Sequence, residues 1–323
     1  IYQDDHQIIF GSEMKALFAF PIIKKLNYSS LQLYLKFNYI PQPYSILENC
    51  SKLEPGFLLE IDKKINISKQ QYYKVDFKDN NYKITSYREA QDKLREVLEE
   101  SVVKRMVADV PLGAFLSGGI DSSVIVSLAS QHTQNLNTFS IGYKDEPMFD
   151  ETKYAKLVAE KFKTNHTAFQ LTNDDLFGQL DQVLEYTDEP FADSSGLAVN
   201  ILSMNTKKKA TVALSGDGAD EIFSGYNKHM AEFIARRGGL KNKIVVAGKP
   251  IWEVLPKSRN SKLGNLNRQL LRFSQGVQKG NKERYWDWAG ILSDDNALKY
   301  LKHSTNQFQS MKDNILGDNL LSS

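Results

Sequence analysis

Four short apolar runs stand out in the middle of the chain, at residues 110–116, 138–143, 166–171 and 210–214, each followed by amphipathic sequence of helix length. Runs of this length suit strands buried on both faces. Strand and helix in alternation predict an α/β fold with a parallel, doubly wound sheet. Ligands of such sheets bind beyond the carboxyl ends of the strands, so the loops after Leu116, Tyr143 and Leu214 are where chemistry is expected.

The segment up to residue 83 has a different texture. Short β-like runs at 7–10 and 57–61, separated by proline-containing turns, predict the edge of a β-rich domain. At Ser86-Tyr87-Arg88-Glu89 the pattern becomes that of a capping box, and helical spacing continues through Leu94, Leu98 and Val102 toward residue 107. A domain boundary is expected just before it, dividing the chain into residues 1–83 and 84–323. No internal repeat or long low-complexity tract is present, although residues 241–282 are rich in Asn, Gly, Ser and Lys.

With 323 residues, 41% of them hydrophobic and 25% charged, the chain is long enough for two cores. Its formal net charge of +2 excludes a polyanion partner engaged over the whole surface. Residues 236–284 hold 13 basic residues and only 2 acidic ones, but no basic-aromatic interleaving, so a solvated helical insertion is expected there rather than a nucleic-acid surface. The single cysteine, Cys50, excludes an internal disulfide framework and a multi-cysteine zinc site, and it fits a reducing compartment, the cytoplasm. Cys50 lies beside no histidine and is read as a small buried hydrophobe. His6, His132, His166, His229 and His303 lack ligand spacing. No apolar run approaches the ~20 residues that span a bilayer, so no membrane partner is expected.

Two loops carry the candidate chemistry. After the first apolar run comes Ser117-Gly118-Gly119-Ile120-Asp121-Ser122-Ser123, then an apolar helix. Adjacent glycines let the backbone approach an anion, the helix start supplies free N–H groups, and the hydroxyls of Ser117, Ser122 and Ser123 add donors. The Gly-Lys-Ser/Thr ending of a P-loop is missing, and Asp121 instead offers a carboxylate for Mg²⁺. After the last run comes Ser215-Gly216-Asp217-Gly218-Ala219-Asp220-Glu221-Ile222-Phe223-Ser224-Gly225-Tyr226. Three carboxylates within five residues repel one another unless a cation compensates; a divalent metal would do so, as an acidic helix start stabilised by its dipole also would.

The first loop resembles the SGGxDS signature of the ATP pyrophosphatases, whose fold is adenine nucleotide α-hydrolase-like. The two loops together resemble those of the glutamine-hydrolysing asparagine synthetase family, as do Thr138-Phe139-Ser140-Ile141-Gly142-Tyr143, Phe149-Asp150-Glu151-Thr152 and Asp188-Glu189-Pro190-Phe191-Ala192-Asp193. Gly11-Ser12-Glu13-Met14-Lys15-Ala16-Leu17 and Leu53-Glu54-Pro55-Gly56 resemble the end of that family's glutaminase, or class II amidotransferase, domain. The resemblance implies ATP and Mg²⁺ as cofactors, with Leu116, Ser117, Gly118, Gly119, Asp121, Ser122, Ser123, Ile141, Ser215 and Gly216 binding ATP. It implies Asp121 and Asp220 as metal ligands and Asp217 as the catalytic acidic residue that handles ammonia. Glu221 and Tyr226 are candidates for substrate binding. The implied partners are small molecules, aspartate and glutamine or ammonia, and a homodimer is compatible with the resemblance.

The implied reaction joins aspartate to ATP as β-aspartyl-AMP, releases pyrophosphate, and lets ammonia displace AMP. Two other readings stay open: a relative that adenylates another carboxylate, and a catalytically silent nucleotide-binding relative. The family's amino-terminal cysteine nucleophile and its lysine-aspartate-arginine element are not recognisable between Ile1 and Ser323, so the chain is expected to be truncated at both ends.

Overall fold

The computed structural model describes residues 1–63, 65–75, 84, 86–258, 261–301 and 307–316. They cluster into two compact units, one of residues 1–74, 187–192 and 224–323, the other of residues 75–186 and 193–223. The predicted junction at residue 83 lies outside the described residues.

The first unit begins with β1 (Tyr2–Gln3) and β2 (Ile8–Ile9), an antiparallel pair shorter than the run at 7–10 predicts. After α1 (Met14–Leu17), a small core of Tyr2, Ile9 and Leu17 forms, and Cys50 packs against it. The next helix, α2 (Tyr28–Phe37), opens on Asn27, whose side chain accepts from the Ser30 N–H at 3.0 Å, and closes on Asn38 with φ of 66°, a left-handed value that asparagine tolerates. Strands β3 (Phe57–Ile61) and β4 (Ile67–Gln71) make an antiparallel hairpin; the predicted run at 57–61 is its first strand. Segment 187–192 is tied into this unit by two carboxylates. Asp188 accepts from the Met14 N–H, and Glu189 accepts from the Ile46 N–H at 2.7 Å while pairing with Lys52.

The second unit holds the parallel sheet. It starts with α3 (Tyr87–Arg105), capped as the sequence predicts by Ser86 Oγ, which accepts from the Glu89 N–H at 3.1 Å. There follow β5 (Leu112–Phe115), α4 (Ile120–His132), β6 (Asn137–Tyr143), α5 (Thr152–Phe162) and β7 (Asn165–Leu171). The chain continues through α6 (Asn173–Phe177), α7 (Leu180–Tyr186), α8 (Ser195–Thr206), β8 (Val212–Leu214) and α9 (Ala219–Phe223). The sheet order is β7-β6-β5-β8 and every pairing in it is parallel. Winding therefore runs outward from β5 through β6 to β7, then reverses to place β8 on the other side of β5. The loops after β5 and β8 leave the sheet side by side at this switch point.

Burial explains why these strands are legible as apolar runs. Ala114 of β5 and Phe139 of β6 are fully buried, and the Phe139 ring stacks at 6.4 Å on Phe169 of β7. Val102 of α3, Leu116, Val126, Leu128 and Ala129 of α4, and Ala155 and Ala159 of α5 complete one core.

The carboxyl-terminal part of the first unit is helical: α10 (Asn227–Arg237), α11 (Leu240–Ala247), α12 (Lys249–Val254), α13 (Lys262–Gly276), α14 (Asn281–Ala289), α15 (Asp294–Lys299) and α16 (Gln307–Leu316). Trp286 of α14 and Phe308 and Met311 of α16 pack on Leu33 and Phe37 of α2, so the two ends of the chain share a core. Much of the positive charge of residues 236–284 is engaged locally. Glu232 receives both Arg236 and the buried Arg284, and Arg272 donates to the carbonyls of Asp287, Trp288 and Gly290 at 3.1, 3.1 and 2.7 Å.

Two outcomes follow from the sheet's interior. Phe139→Ala removes a fully buried ring and should lower unfolding stability by about 3–5 kcal/mol, read from the denaturant midpoint; a loss under ~1 kcal/mol would place the ring outside the core. His166 lies within hydrogen-bond distance of Thr138 Oγ1 (3.0 Å) and Ser140 Oγ (3.2 Å), and burial holds its imidazole below the ordinary range. Because the folded protein takes up this proton less readily than the unfolded chain, the contribution of His166 is complete above about pH 6.5 and is lost as pH falls below it. Stability should fall more steeply on acidification from about pH 7 to 5 in the wild type than in His166→Gln. Parallel slopes would contradict this.

Candidate active site

Leu116 continues β5 by donating its N–H to the Phe139 carbonyl at 2.8 Å, and Ala114 pairs in register with Leu214. The ends of β5, β6 and β8 are thus neighbours, and Leu116, Ile141 and Ser215 lie along one carboxyl edge of the sheet. The first predicted loop turns there. Gly118 has φ of +86°, and a Cβ on it would come within 2.4 Å of the Ala155 N and 2.6 Å of the Tyr154 carbonyl carbon, so the loop is pressed against the first turn of α5. Gly119 then caps α4 with extended backbone, leaving the N–H groups of the helix start directed outward beside an exposed Asp121.

The serines of this loop have different duties. Ser117 Oγ accepts from the Gly119 N–H at 3.2 Å and sits 3.0 Å from Ser122 Oγ, which in turn donates to the Gly119 carbonyl at 3.3 Å. Ser117 and Ser122 therefore hold the turn in shape, while Ser123 lies half-buried in the helix's first turn.

The second loop meets the first through Gly216. A Cβ built there would lie 2.8 Å from the Ser122 N, 2.9 Å from the Asp121 carbonyl carbon and 3.0 Å from Asp121 Cβ. Only a residue without a side chain permits this approach. Beyond it, Ser215 Oγ accepts from the Asp217 N–H at 3.1 Å, Gly218 takes φ of +90°, and α9 begins with Asp220 and Glu221 in its first turn. Asp217 is exposed and Asp220 half-buried. Ten sequence-predicted residues, Ser117 to Gly119, Asp121 to Ser123 and Ser215 to Asp217 with Asp220, are thus gathered at two touching loops of one unit. Tyr226, the candidate farthest along the second motif, falls in the first unit. Among the described residues, no group of three or more His, Cys, Asp or Glu could hold a metal by itself.

One contributor was not singled out as a site residue. The contact of Gly118 with Tyr154 and Ala155 brings the start of α5 to the loop, next to Asp150, which accepts from the Thr152 hydroxyl at 2.7 Å and the Thr152 N–H at 2.9 Å. These two bonds from Thr152 hold the Asp150 carboxyl below its ordinary range. The signal was present in Phe149-Asp150-Glu151-Thr152, but its role depends on packing that no spacing along the chain reveals. Cys50, by contrast, lies half-buried in the first unit; burial pushes its thiol up, away from the reactive thiolate. No helix among the described residues is long and apolar enough to cross a membrane.

The chain matches two family models, asparagine synthase over residues 93–314 and the glutamine amidotransferase domain over residues 1–73. A putative glutamine-hydrolyzing asparagine synthetase of Methanocaldococcus jannaschii is 38% identical over 71% of this chain and 45% of its own length. Glutamine-hydrolyzing asparagine synthetase 1 of Bacillus subtilis is 34% identical over 68% of this chain and 34% of its own. A putative glutamine-hydrolyzing asparagine synthetase of Mycobacterium tuberculosis is 30% identical over 83% of this chain and 40% of its own. The chain thus spans less than half the length of these curated relatives. An NH3-dependent NAD synthetase of Campylobacter jejuni aligns with 61% of this chain and 98% of its own at 13% identity and a TM-score of 0.27, a likeness too slight to carry an argument. With both touching loops inside the asparagine synthase match and the amidotransferase match preceding it, the chain belongs to the asparagine synthase family.

Proposed function

We propose that the two loops form one ATP site at which aspartate is adenylated and then amidated, in a protein that draws its ammonia from glutamine. The observation that supports this most is the close approach of Gly216 to Asp121 and Ser122. It brings the anion-binding start of α4 and the acidic start of the second loop within reach of one small ligand. The match of residues 1–73 to an amidotransferase domain supports glutamine as the nitrogen source, and the proposal retains residues 1–83 and 84–323 as the two functional domains. A cytoplasmic setting and a homodimer belong to the same proposal.

In this reading the N–H groups at the start of α4 and the Ser123 hydroxyl hold phosphate oxygens, and Leu116, Ile141, Ser215 and Gly216 hold the adenylate. Asp121 and Asp220 fit Mg²⁺, which is characteristically held by one or two carboxylates together with substrate phosphates. The bound ion would neutralise charge on the departing pyrophosphate. A side-chain carboxylate oxygen of aspartate attacks the α-phosphorus, the bond to pyrophosphate breaks, and β-aspartyl-AMP forms. Ammonia nitrogen then attacks the acyl carbon, AMP leaves with the carboxylate oxygen, and Asp217 takes a proton from the nitrogen. Asp217 is suited to this by its exposure and by the Ser215 hydroxyl, which fixes its backbone. Glu221, at the start of α9, completes the proposed aspartate site within the second unit.

The carboxylates should separate by step. Asp121→Asn and Asp220→Asn should abolish both pyrophosphate release and the exchange of labelled pyrophosphate into ATP, with the fold intact by circular dichroism. Asp217→Asn should keep exchange but lose about 10²-fold or more in amide formation, the scale of a positioned base. If Asp217→Asn eliminated exchange as completely as Asp220→Asn, the second loop would be a single metal site and the division of roles wrong.

A further inference from the structure

The sequence marks three strand-end loops for chemistry, and the proposed ATP site uses only those after β5 and β8. The loop after β6, residues 144–151, is a strap fastened to β7 at both ends. At its start the Lys144 N–H donates to the Leu171 carbonyl at 2.8 Å, and the Asp145 carboxylate accepts from the Asn173 N–H at 2.7 Å. A 3₁₀ turn over Pro147–Phe149 tightens its middle. At its end Asp150 accepts from the N–H and the hydroxyl of Thr152, and that hydroxyl accepts in turn from Gln170 Nε2 at 3.5 Å. Gln170 also acts on the Asp150 carboxyl directly, adding to the two stronger bonds from Thr152.

Gly142 makes room for this closure. It stands opposite Gln170 in the β6–β7 register, and a Cβ on it would lie 2.7 Å from both Cδ and Oε1 of Gln170 and closer still to Nε2. The amide therefore lies flat over a buried position that glycine leaves open, while Gln170 is otherwise exposed. The last bonds of the strap fall on Thr152, the first residue of α5. Two residues on is the peptide between Tyr154 and Ala155, against which Gly118 turns. The N–H groups of Tyr154 and Ala155 both donate to the Glu151 carbonyl, at 2.9 and 3.2 Å, so whatever fixes the helix start also fixes this peptide.

We propose that Thr152 is a positioning residue for the phosphate loop: by joining Asp150 to Gln170 it fixes the first turn of α5, and that turn fixes Gly118. The inference rests on the reading of the first loop as a phosphate site. A loop that holds its binding shape only part of the time binds its ligand more weakly in proportion, while the bound form is unaltered. Loss of the strap should therefore raise the KM for ATP and leave kcat in place. Simple loss of folded protein would do the reverse, lowering turnover per chain at an unchanged KM.

Thr152→Val keeps the branched shape and the backbone N–H and removes both bonds of the hydroxyl. In the ligand-free protein, ¹⁵N relaxation should give Gly118 and Gly119 order parameters of about 0.85 in the wild type and under about 0.6 in the variant. In pyrophosphate exchange the variant should raise the KM for ATP about fivefold, the scale of one lost hydrogen bond, with kcat held within about twofold. Gln170→Leu, at an exposed position, should move both readouts the same way and decides the matter if Thr152→Val fails to fold. Glycines as rigid in the folded variant as in the wild type, or a fall in kcat at unchanged KM, would overturn the assignment. If the wild type shows no exchange, the adenylation reading fails and the order parameters alone decide the role of Thr152.

Discussion

The candidate site depends on one close approach, the backbone of Gly216 lying against the Asp121–Ser122 peptide at the start of α4. A methyl group there would sit inside contact distance of three atoms, two of them backbone that cannot swing aside. The sheet order makes this approach available, because β8 pairs with β5 and the two loops leave the same edge together. A helix start rich in free N–H groups and a loop rich in carboxylates are electrostatic opposites. Placed in contact, they suit a ligand carrying both phosphates and a cation, and ATP with Mg²⁺ has that composition.

The pressure of Gly118 on α5 has a related consequence. With its far side set against the peptide between Tyr154 and Ala155, and with Ser117 and Ser122 tying its interior, the first loop is shaped before any ligand arrives. Donors fixed in advance need little reorganisation when charge develops, which is the usual source of electrostatic catalysis. In this account Asp121 and Asp217 stay exposed and Asp220 half-buried beside this turn, where substrate completes their surroundings.

Much of this architecture was legible in the amino-acid order. The strands were readable because central parallel strands are buried on both faces, which leaves unbroken apolar runs, and the start of α3 was readable because Ser86 and Glu89 stand at capping distance. The two loops were readable because their glycines, serines and aspartates stand at strand ends and together resemble a family's paired signatures. What was hidden depends on contacts between distant residues. Nothing near Leu33 and Phe37 announces that Trp286, Phe308 and Met311 will cover them, nor that Asp188 and Glu189 will bind the backbone at Met14 and Ile46. The sharing of Asp294 by Lys36 and Lys312 belongs to the same class, since it joins neighbours brought together by folding.

The central claim, that an aspartate oxygen is joined to the α-phosphorus at these two touching loops, has a direct isotopic consequence. Aspartate labelled with ¹⁸O in its side-chain carboxylate should, in the presence of ATP, Mg²⁺, ammonia and the protein, deliver one labelled oxygen to the phosphate of AMP, read by mass spectrometry. Asparagine should retain the other. Unlabelled AMP, or label found in inorganic phosphate alongside ADP, would contradict adenylation and with it the role assigned to the two loops.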